Sequence, residues 1–329
     1  MQINSTLMTL LHVMADGRYH SGETLGGILG ISRAAVWKTL SSLKQVGVVV
    51  ESVKGKGYCI PGGLSLLDQA VIQDAVPIER LQDVALIEVK TELDSTNSYL
   101  LQAYDTDAFT GAHICLAEMQ TAGRGRRGRT WQSPFAKNIY MSLSWQFEQG
   151  IAAIEGLSLA VGVAIVSALQ QSGVHGLSLK WPNDVLYQGK KLGGVLLEIS
   201  GDVSGRCGVV VGLGLNVAMS SAEASQIDQP WIDLKTIAGE SLPSRNALAA
   251  SLIDHLVGLL KDFESRRFKA YREQWQQHAA YMGEPITLSM GARTQQGVLL
   301  GVEENGALRI STETGEQVFV GGEISMRPA

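Results

Sequence analysis

The sequence predicts an α+β protein built in three consecutive parts, and three patterns predict it. Residues up to about 63 hold short helical periods followed by a two-strand signal, the region from 84 to 217 carries more strand-like runs than helices, and from about Tyr281 only short strands separated by Gly or Asn appear. A chain of 329 residues is about twice a typical domain, so two or three domains are expected. Apolar content of 45% and charged content of 18% fit a folded chain without a disordered tail.

In the first part, Leu7, Leu10, Leu11 and Met14 fall at helical spacing and stop at Gly17. Ser21 caps a second helix, with Leu25, Ile28 and Leu29 inward before Gly30. Ser32 caps a third, with Val36, Leu40, Leu43 and Val46 on one face and Gly47 at its end. Two short helices joined through a glycine-containing turn are a helix-turn-helix. Val48–Val53, the turn Lys54-Gly55-Lys56-Gly57 and Tyr58-Cys59-Ile60 then read as a hairpin wing with a basic tip, and Pro61-Gly62-Gly63 marks a boundary.

The second part holds strand-like runs at Val84–Val89, His113–Met119, Asn138–Phe147, Leu177–Trp181, Val195–Ile199 and Val209–Val217. Ile139, Met141, Leu143, Trp145 and Phe147 alternate with mostly polar residues, which predicts one buried face. Two amphipathic helices are expected, one through Leu157, Ala160, Val161, Ala164, Ile165, Ala168 and Leu169, the other through Leu248, Leu252, Ile253, Leu256, Leu259, Leu260 and Phe263. This fits an antiparallel or mixed sheet with helices on one side better than a doubly wound parallel sheet. The runs Ile286–Met290, Val298–Val302, Ala307–Ser311 and Val318–Val320 suggest a small β-barrel, too small for a core of its own and therefore packed on the middle part.

Net charge is −5, but residues 1–63 carry +3 and the remainder −8. A modestly basic head on an acidic body fits a DNA-reading module joined to something else. Cys59, Cys115 and Cys207 are far apart, and no Cys/His cluster suggests a disulfide framework or structural zinc. The N-terminus has no basic-then-apolar pattern, and the apolar stretch Leu157–Val166 is about half of what crosses a bilayer. A cytoplasmic chain with no membrane partner is expected.

Three stretches carry chemistry. Gly123-Arg124-Gly125-Arg126-Arg127-Gly128-Arg129 crowds mutually repelling guanidiniums among glycines. Such a loop should be mobile until an anion arrives, and then offer bidentate donors and bare N–H groups to phosphate. A solvated basic loop is the plain alternative, but this one sits between a strand and Trp131-Gln132-Ser133-Pro134-Phe135, inside a folded part. Lys180-Trp181-Pro182-Asn183-Asp184 ends a strand on a fixed cation and turns at once. Asp94-Ser95-Thr96-Asn97 opens a helix with more small polar groups than a cap requires. Gly212-Leu213-Gly214-Leu215-Asn216 lacks the third glycine and the following helix of a dinucleotide loop, which leaves close backbone approach to a ligand as its use. No metal-ligand spacing and no nucleophile–base pattern is present.

In this order, Asp94-Ser95-Thr96-Asn97, Gln120 with Ala122-Gly123-Arg124-Gly125-Arg126-Arg127-Gly128-Arg129, and Lys180-Trp181-Pro182-Asn183-Asp184 resemble the signature of biotin–protein ligases. Lys191-Leu192-Gly193-Gly194-Val195-Leu196, Gly212–Asn216, the terminal Gly321-Gly322-Glu323-Ile324-Ser325 and Ser32-Arg33-Ala34-Ala35-Val36 extend the match over essentially the whole chain. The resemblance points to the bifunctional form, a biotin–[acetyl-CoA-carboxylase] ligase that also represses the biotin operon.

It implies a winged helix-turn-helix at 1–63, a class II synthetase-like catalytic domain at 64–276 and an SH3-like barrel at 277–329. It implies ATP with Mg²⁺, biotin as substrate, and biotinyl-5′-AMP as intermediate and corepressor. The partners implied are the biotin carboxyl carrier protein, operator DNA and a second copy in a homodimer. Catalysis would rest on Lys180 and Arg124, and ligand binding on Ser95, Thr96, Asn97, Gln120, Arg124, Gly125, Arg126 and Lys180. DNA contacts would come from Gly22, Ser32, Arg33, Trp37, Lys38 and Ser41, with Trp37 and Thr39 affecting which operator is read. Trp231 would close over adenine. Lipoate or octanoate transfer, a metabolite-sensing transcription factor without catalysis, and a ligase whose head no longer binds DNA are the competing readings.

Overall fold

In a computed structural model that describes residues 4–106, 111–201, 205–321 and 324–328, the head forms as the capping pattern requires. Asn4, Ser21 and Ser32 accept N–H groups at the starts of α1 (Ser5–Met14), α2 (Gly22–Leu29) and α3 (Arg33–Ser42). Leu7, Leu10, Leu11, Met14, Leu25, Val36, Leu40 and Leu43 are buried together. The third helix, expected to continue to Gly47, tightens to a 3₁₀ turn over Leu43–Val46, which lets Gly47 turn the chain back while Leu43 stays in the core. The wing pairs β1 (Glu51–Val53) with β2 (Gly57–Cys59), and two backbone bonds of 2.8 Å between Tyr58 and His20 tie it to the α1–α2 loop.

The head does not stand apart from the body. Leu66, Phe135 and Ala136, all beyond residue 63, are buried in its cluster, and Met119 packs against it. Below this contact lies a buried ion pair, Arg245 Nη1 to Glu118 Oε2 at 2.7 Å, with both side chains at most 3% exposed. Arg245 also donates to the carbonyls of Ser65 and Asn138, and Glu118 Oε1 accepts the Leu67 N–H. The segment leaving the head is thus pinned to the strand that leads into Gln120.

The body follows through α4 (Gln69–Ala75) and α5 (Ile78–Leu81) into seven strands: β3 (Val84–Leu93), β4 (Ala112–Gln120), β5 (Ile139–Phe147), β6 (Leu177–Lys180), β7 (Asp184–Tyr187), β8 (Lys190–Gly201) and β9 (Cys207–Leu215). Their order is β3-β4-β5-β9-β8-β7-β6, parallel only between β3 and β4. The expected mixed sheet is present, with two differences. The strand β7 replaces a plain turn, because Asp184–Tyr187 pairs with both β6 and β8. Helices cover both faces, not one. The helix α6 (Thr96–Thr106) packs on β4, β5 and β9, so Tyr140, Ser142 and Ser144 are buried as fully as the apolar residues they alternate with.

The opposite face is covered by α7 (Leu157–Gln171) and α9 (Arg245–Arg266), which pack on each other. The apolar segment is longer than Leu157–Val166: Ile151–Gln171 is long and apolar enough to cross a bilayer by composition. Eleven residues of α7 are instead buried within this core, as expected of a helix between a sheet and another helix. The short α8 (Leu234–Ala238) and α10 (Arg272–His278) complete the helices.

Five antiparallel strands finish the chain: β10 (Pro285–Met290), β11 (Arg293–Val302), β12 (Leu308–Thr312), β13 (Gly315–Phe319) and β14 (Ile324–Pro328), in the order β13-β12-β11-β10-β14. The described ladders leave β13 and β14 as edges, so the predicted barrel is a sheet that these pairings do not close. It shares one continuous core with the body through Ile286, Leu288, Leu299, Leu308, Ile310 and Met326, and the buried Trp181 indole donates to Gly306 O at 3.1 Å.

Removing one partner of a buried ion pair strands the other charge, so Arg245→Leu should cost about 3–5 kcal/mol. Urea unfolding should show this loss, and Glu118→Leu/Arg245→Leu should recover part of it; a double variant less stable than both singles would contradict the account.

Candidate active site

At the open end of β4, β5, β8 and β9, the start of α6 brings small polar side chains onto the sheet. Thr96 donates its N–H (2.9 Å) and hydroxyl (3.2 Å) to Gln120 Oε1, and Gln120 Nε2 donates to Ser133 Oγ (3.0 Å). Ser142 Oγ lies 2.7 Å from Thr96 Oγ1 and 2.5 Å from Asn97 Oδ1. Ser95, Thr96, Asn97 and Ser142 are all nearly inaccessible to water. Buried polar groups satisfied by one another hold fixed directions; Ser95, Thr96, Asn97 and Gln120 line a cavity of about 430 Å³, with Ser142 and Ser133 bonded behind them.

The glycines of β9 line the cavity and also let protein side chains approach closely. A Cβ on Gly212 would fall 2.1 Å from Asn97 Oδ1, and one on Gly214 would fall 2.3 Å from the Trp131 ring. The Gly212–Asn216 motif is therefore the floor on which Asn97 and Trp131 rest. The Trp131 indole N–H is buried with no acceptor among the described residues.

The arginine loop lies across the cavity mouth. Its backbone and three of its guanidiniums find protein partners. The Gly125 N–H donates to Arg129 O (2.7 Å) and the Trp131 N–H to Gly123 O (2.9 Å). Arg124 Nη2 reaches Glu198 Oε2 at 2.8 Å, an oxygen that also accepts from Asn97 Nδ2 at 2.8 Å. Arg126 Nη1 donates to Asn183 Oδ1 (3.0 Å) and Nη2 to Ile324 O (3.4 Å), while Arg127 reaches Ser325 Oγ (3.2 Å). Burial lowers the Arg126 pKa from the usual guanidinium value, with the Asp184 carboxylate opposing the shift; an arginine stays charged regardless.

Opposite the loop, two ammonium groups converge on one carboxylate. Lys180 Nζ lies 2.8 Å from Asp184 Oδ2 and Lys191 Nζ 2.7 Å from Oδ1. Lys191 also sits 5.5 Å over the Trp131 ring. Burial of Asp184 works to raise its pKa, but Lys191 and Lys180 outweigh it and hold the carboxyl below the ordinary range. All eight predicted ligand residues, Ser95, Thr96, Asn97, Gln120, Arg124, Gly125, Arg126 and Lys180, line this single cavity.

Sequence reasoning gave no role to Ser142, Lys191, Asp184 or Glu198. Ser142 was hidden in a strand whose polar residues read as its wet face. Lys191 lay in a noted motif, seven residues from Asp184 across a hairpin, a spacing that could have revealed the shared carboxylate. Trp231 lines an adjoining space of about 330 Å³ with Trp131, Lys191 and Asn216. The terminal strand supplies Ile324, Ser325 and Arg327 to the main cavity; Gly322 and Glu323 of its motif lie outside the described residues.

In the head, Ser32, Arg33, Trp37, Lys38 and Ser41 are exposed along α3. Gly22 is buried, where a Cβ would meet Arg33 Cγ at 3.1 Å and the Tyr58 ring at 3.3 Å. It packs beneath Arg33 and presents no surface of its own.

Because Asp184 ionises more readily folded than unfolded, its stabilisation is complete above about pH 4 and is lost as pH falls below that. Thermal unfolding should show Asp184→Asn less stable at neutral pH and less sensitive to acidification than the parent. Identical acid slopes would remove the carboxylate from this role.

Comparison with known proteins agrees with this geometry. Residues 89–216 match the Biotin/lipoate A/B protein ligase family, residues 6–59 an HTH domain and residues 281–327 the Biotin protein ligase C terminal domain. The chain is 39% identical over 329 residues to the bifunctional ligase/repressor BirA of Escherichia coli, covering 100% of this chain and 99% of that one. It is 32% identical to the biotin–[acetyl-CoA-carboxylase] ligase of Paracoccus denitrificans, over 70% of this chain and 96% of that one. Its fold is similar to the Aquifex aeolicus biotin protein ligase solved with biotin and ATP, with a TM-score of 0.64, 31% identity and coverage of 74% and 99%. With full-length similarity, the three matched segments in order and the polar cavity between them, the chain belongs to the biotin–protein ligase family, in the group that carries an N-terminal helix-turn-helix head.

Proposed function

We propose that this chain is an ATP-dependent biotin–protein ligase that also represses transcription of biotin synthesis genes. The observation that carries the reading is one cavity with a neutral polar end and a cationic end. Ser95, Thr96, Asn97, Gln120 and Ser142 suit the ureido ring of biotin, which offers two N–H donors and one carbonyl. Arg124, Arg126, Lys180 and Lys191 suit the carboxylate and the phosphates that must meet there.

In the first step a biotin carboxylate oxygen attacks the α-phosphorus of ATP and pyrophosphate leaves. Two anions approach each other, so cations directed at the developing charge lower the barrier. Lys180 and Lys191, aligned by Asp184, face the joining atoms, and the arginine loop receives the phosphates. Trp131 and Trp231 flank the adjoining space, which suits adenine; the unpaired Trp131 N–H and the close seat on Gly214 fit a flat ring brought against them. Mg²⁺ would arrive on the nucleotide phosphates. In the second step the lysine amine of a carrier protein attacks the acyl carbon of biotinyl-5′-AMP and AMP leaves. The nucleophile comes with the acceptor, which is why no Ser or Cys is needed.

The head supports the second role. A charge of +3 is small for phosphate contacts, so two heads on a palindrome would be needed for useful affinity. Adenylate-dependent pairing of two copies, with the cytoplasm as their location, completes the reading. We divide the chain at 1–63, 64–276 and 277–329 for DNA contact, chemistry and closure of the cavity.

Mass spectrometry of protein incubated with biotin and ATP should detect retained biotinyl-5′-AMP. Lys180→Ala, Lys191→Ala and Arg124→Ala should each slow biotin-dependent pyrophosphate exchange by about 10²–10³-fold without altering the fold. Exchange driven by lipoate, or normal rates in the variants, would refute the assignment. Operator binding should require biotin plus ATP and weaken steeply with salt.

A further inference from the structure

The third helix of the head exposes a large apolar side chain on the surface that the repressor reading assigns to DNA. Trp37 is 61% exposed, while its helix seals the head's core through Val36 and Leu40. Arg33, Trp37 and Ser41 stand four residues apart and share one outward stripe, flanked by Ala34 and Lys38. A single exposed indole is ordinary by itself. What its neighbours have left to offer makes it informative.

The hydroxyls of this helix each make one bond to its own backbone. Ser32 Oγ accepts the Ala35 N–H (3.2 Å), Thr39 donates to Ala35 O (2.9 Å), Ser41 to Trp37 O (2.8 Å) and Ser42 to Thr39 O (2.6 Å). Thr39 is half-buried, while Trp37 stands clear of the helix. The helix holds no Asn or Gln, the side chains that pair bidentately with adenine. Arg33 rests its stem on Gly22 beside Tyr58, and Lys38, Lys54 and Lys56 are exposed cations of the kind that meet phosphate. These charges make a polyanion the fitting occupant of the surface, and the indole is the large apolar group that α3 turns outward among them.

We infer that Trp37 determines specificity by apolar contact with the C5-methyl group of thymine in the major groove, so that a methyl group and not a hydrogen-bond pair is read at that position. The inference rests on the DNA-binding role proposed above and is tested so that the two can fail separately. Full-length protein with biotin, ATP and Mg²⁺ selects duplexes from a pool with a randomised centre. The enriched duplex is then resynthesised with each thymine replaced in turn by deoxyuridine, which removes only the methyl.

At one thymine per contacted site, wild-type affinity should fall about fourfold, the worth of one buried methyl. Trp37→Ala should bind more weakly, show no loss at that deoxyuridine and keep the wild-type salt slope, while Trp37→Phe should retain the methyl effect. Unchanged thermal unfolding would show that both variants are folded. Indifference of the wild type to deoxyuridine everywhere, or equal sensitivity in Trp37→Ala, would overturn the role of the indole while leaving DNA binding intact. Failure to enrich any duplex bound in a salt-sensitive way would overturn both.

Discussion

Everything at this site depends on holding several cations around one small cavity without their pushing the walls apart. The protein does this with anions and carbonyls built into rigid strands. Asp184 sits where β6, β7 and β8 meet and takes one ammonium on each oxygen. Glu198, on β8, takes Arg124, and Asn183 with the Ile324 carbonyl takes Arg126. Each partner neutralises or polarises in favour of a cation that lines the cavity. A site arranged in this way before its ligands arrive does not spend binding energy on collecting its charges.

The neutral end of the cavity obeys the opposite rule, since its polar atoms are buried and must be satisfied within the protein or by a ligand. Gln120, Thr96, Asn97, Ser142 and Ser133 form a network from four segments distant in sequence. The network exists only because β9 is bare at Gly212, where any side chain would occupy the space of the Asn97 amide. A methyl group added to the floor would thus act on the ceiling.

Chemistry and DNA contact are also joined mechanically. Strand β4 carries Glu118 and, two residues on, Gln120. Glu118 binds the linker at Leu67 and the buried Arg245, which in turn holds Ser65 and Asn138. Past the arginine loop, Phe135 inserts into the head's own core. One end of the segment that lines the cavity is thus bonded to the linker, and the other is packed into the head's core.

By itself the sequence determined the parts: three short helices and a wing, most of the strands and the two long core helices, while its family resemblance pointed to eight of the residues that line the cavity. Caps, periodicity and clustered charge are local signals, and local signals survive in one dimension. Only tertiary structure decided that α6 covers the second face of the sheet, which turns Ser142 from an apparent surface residue into a buried member of the site. It also decided that Lys191 and Lys180 share Asp184, that Gly212 and Gly214 seat Asn97 and Trp131, and that the last strand reaches the arginine loop. Those outcomes depend on which surfaces meet across the sheet, and burial, unlike helical period or turn chemistry, is a property of the assembled packing and not of any one segment.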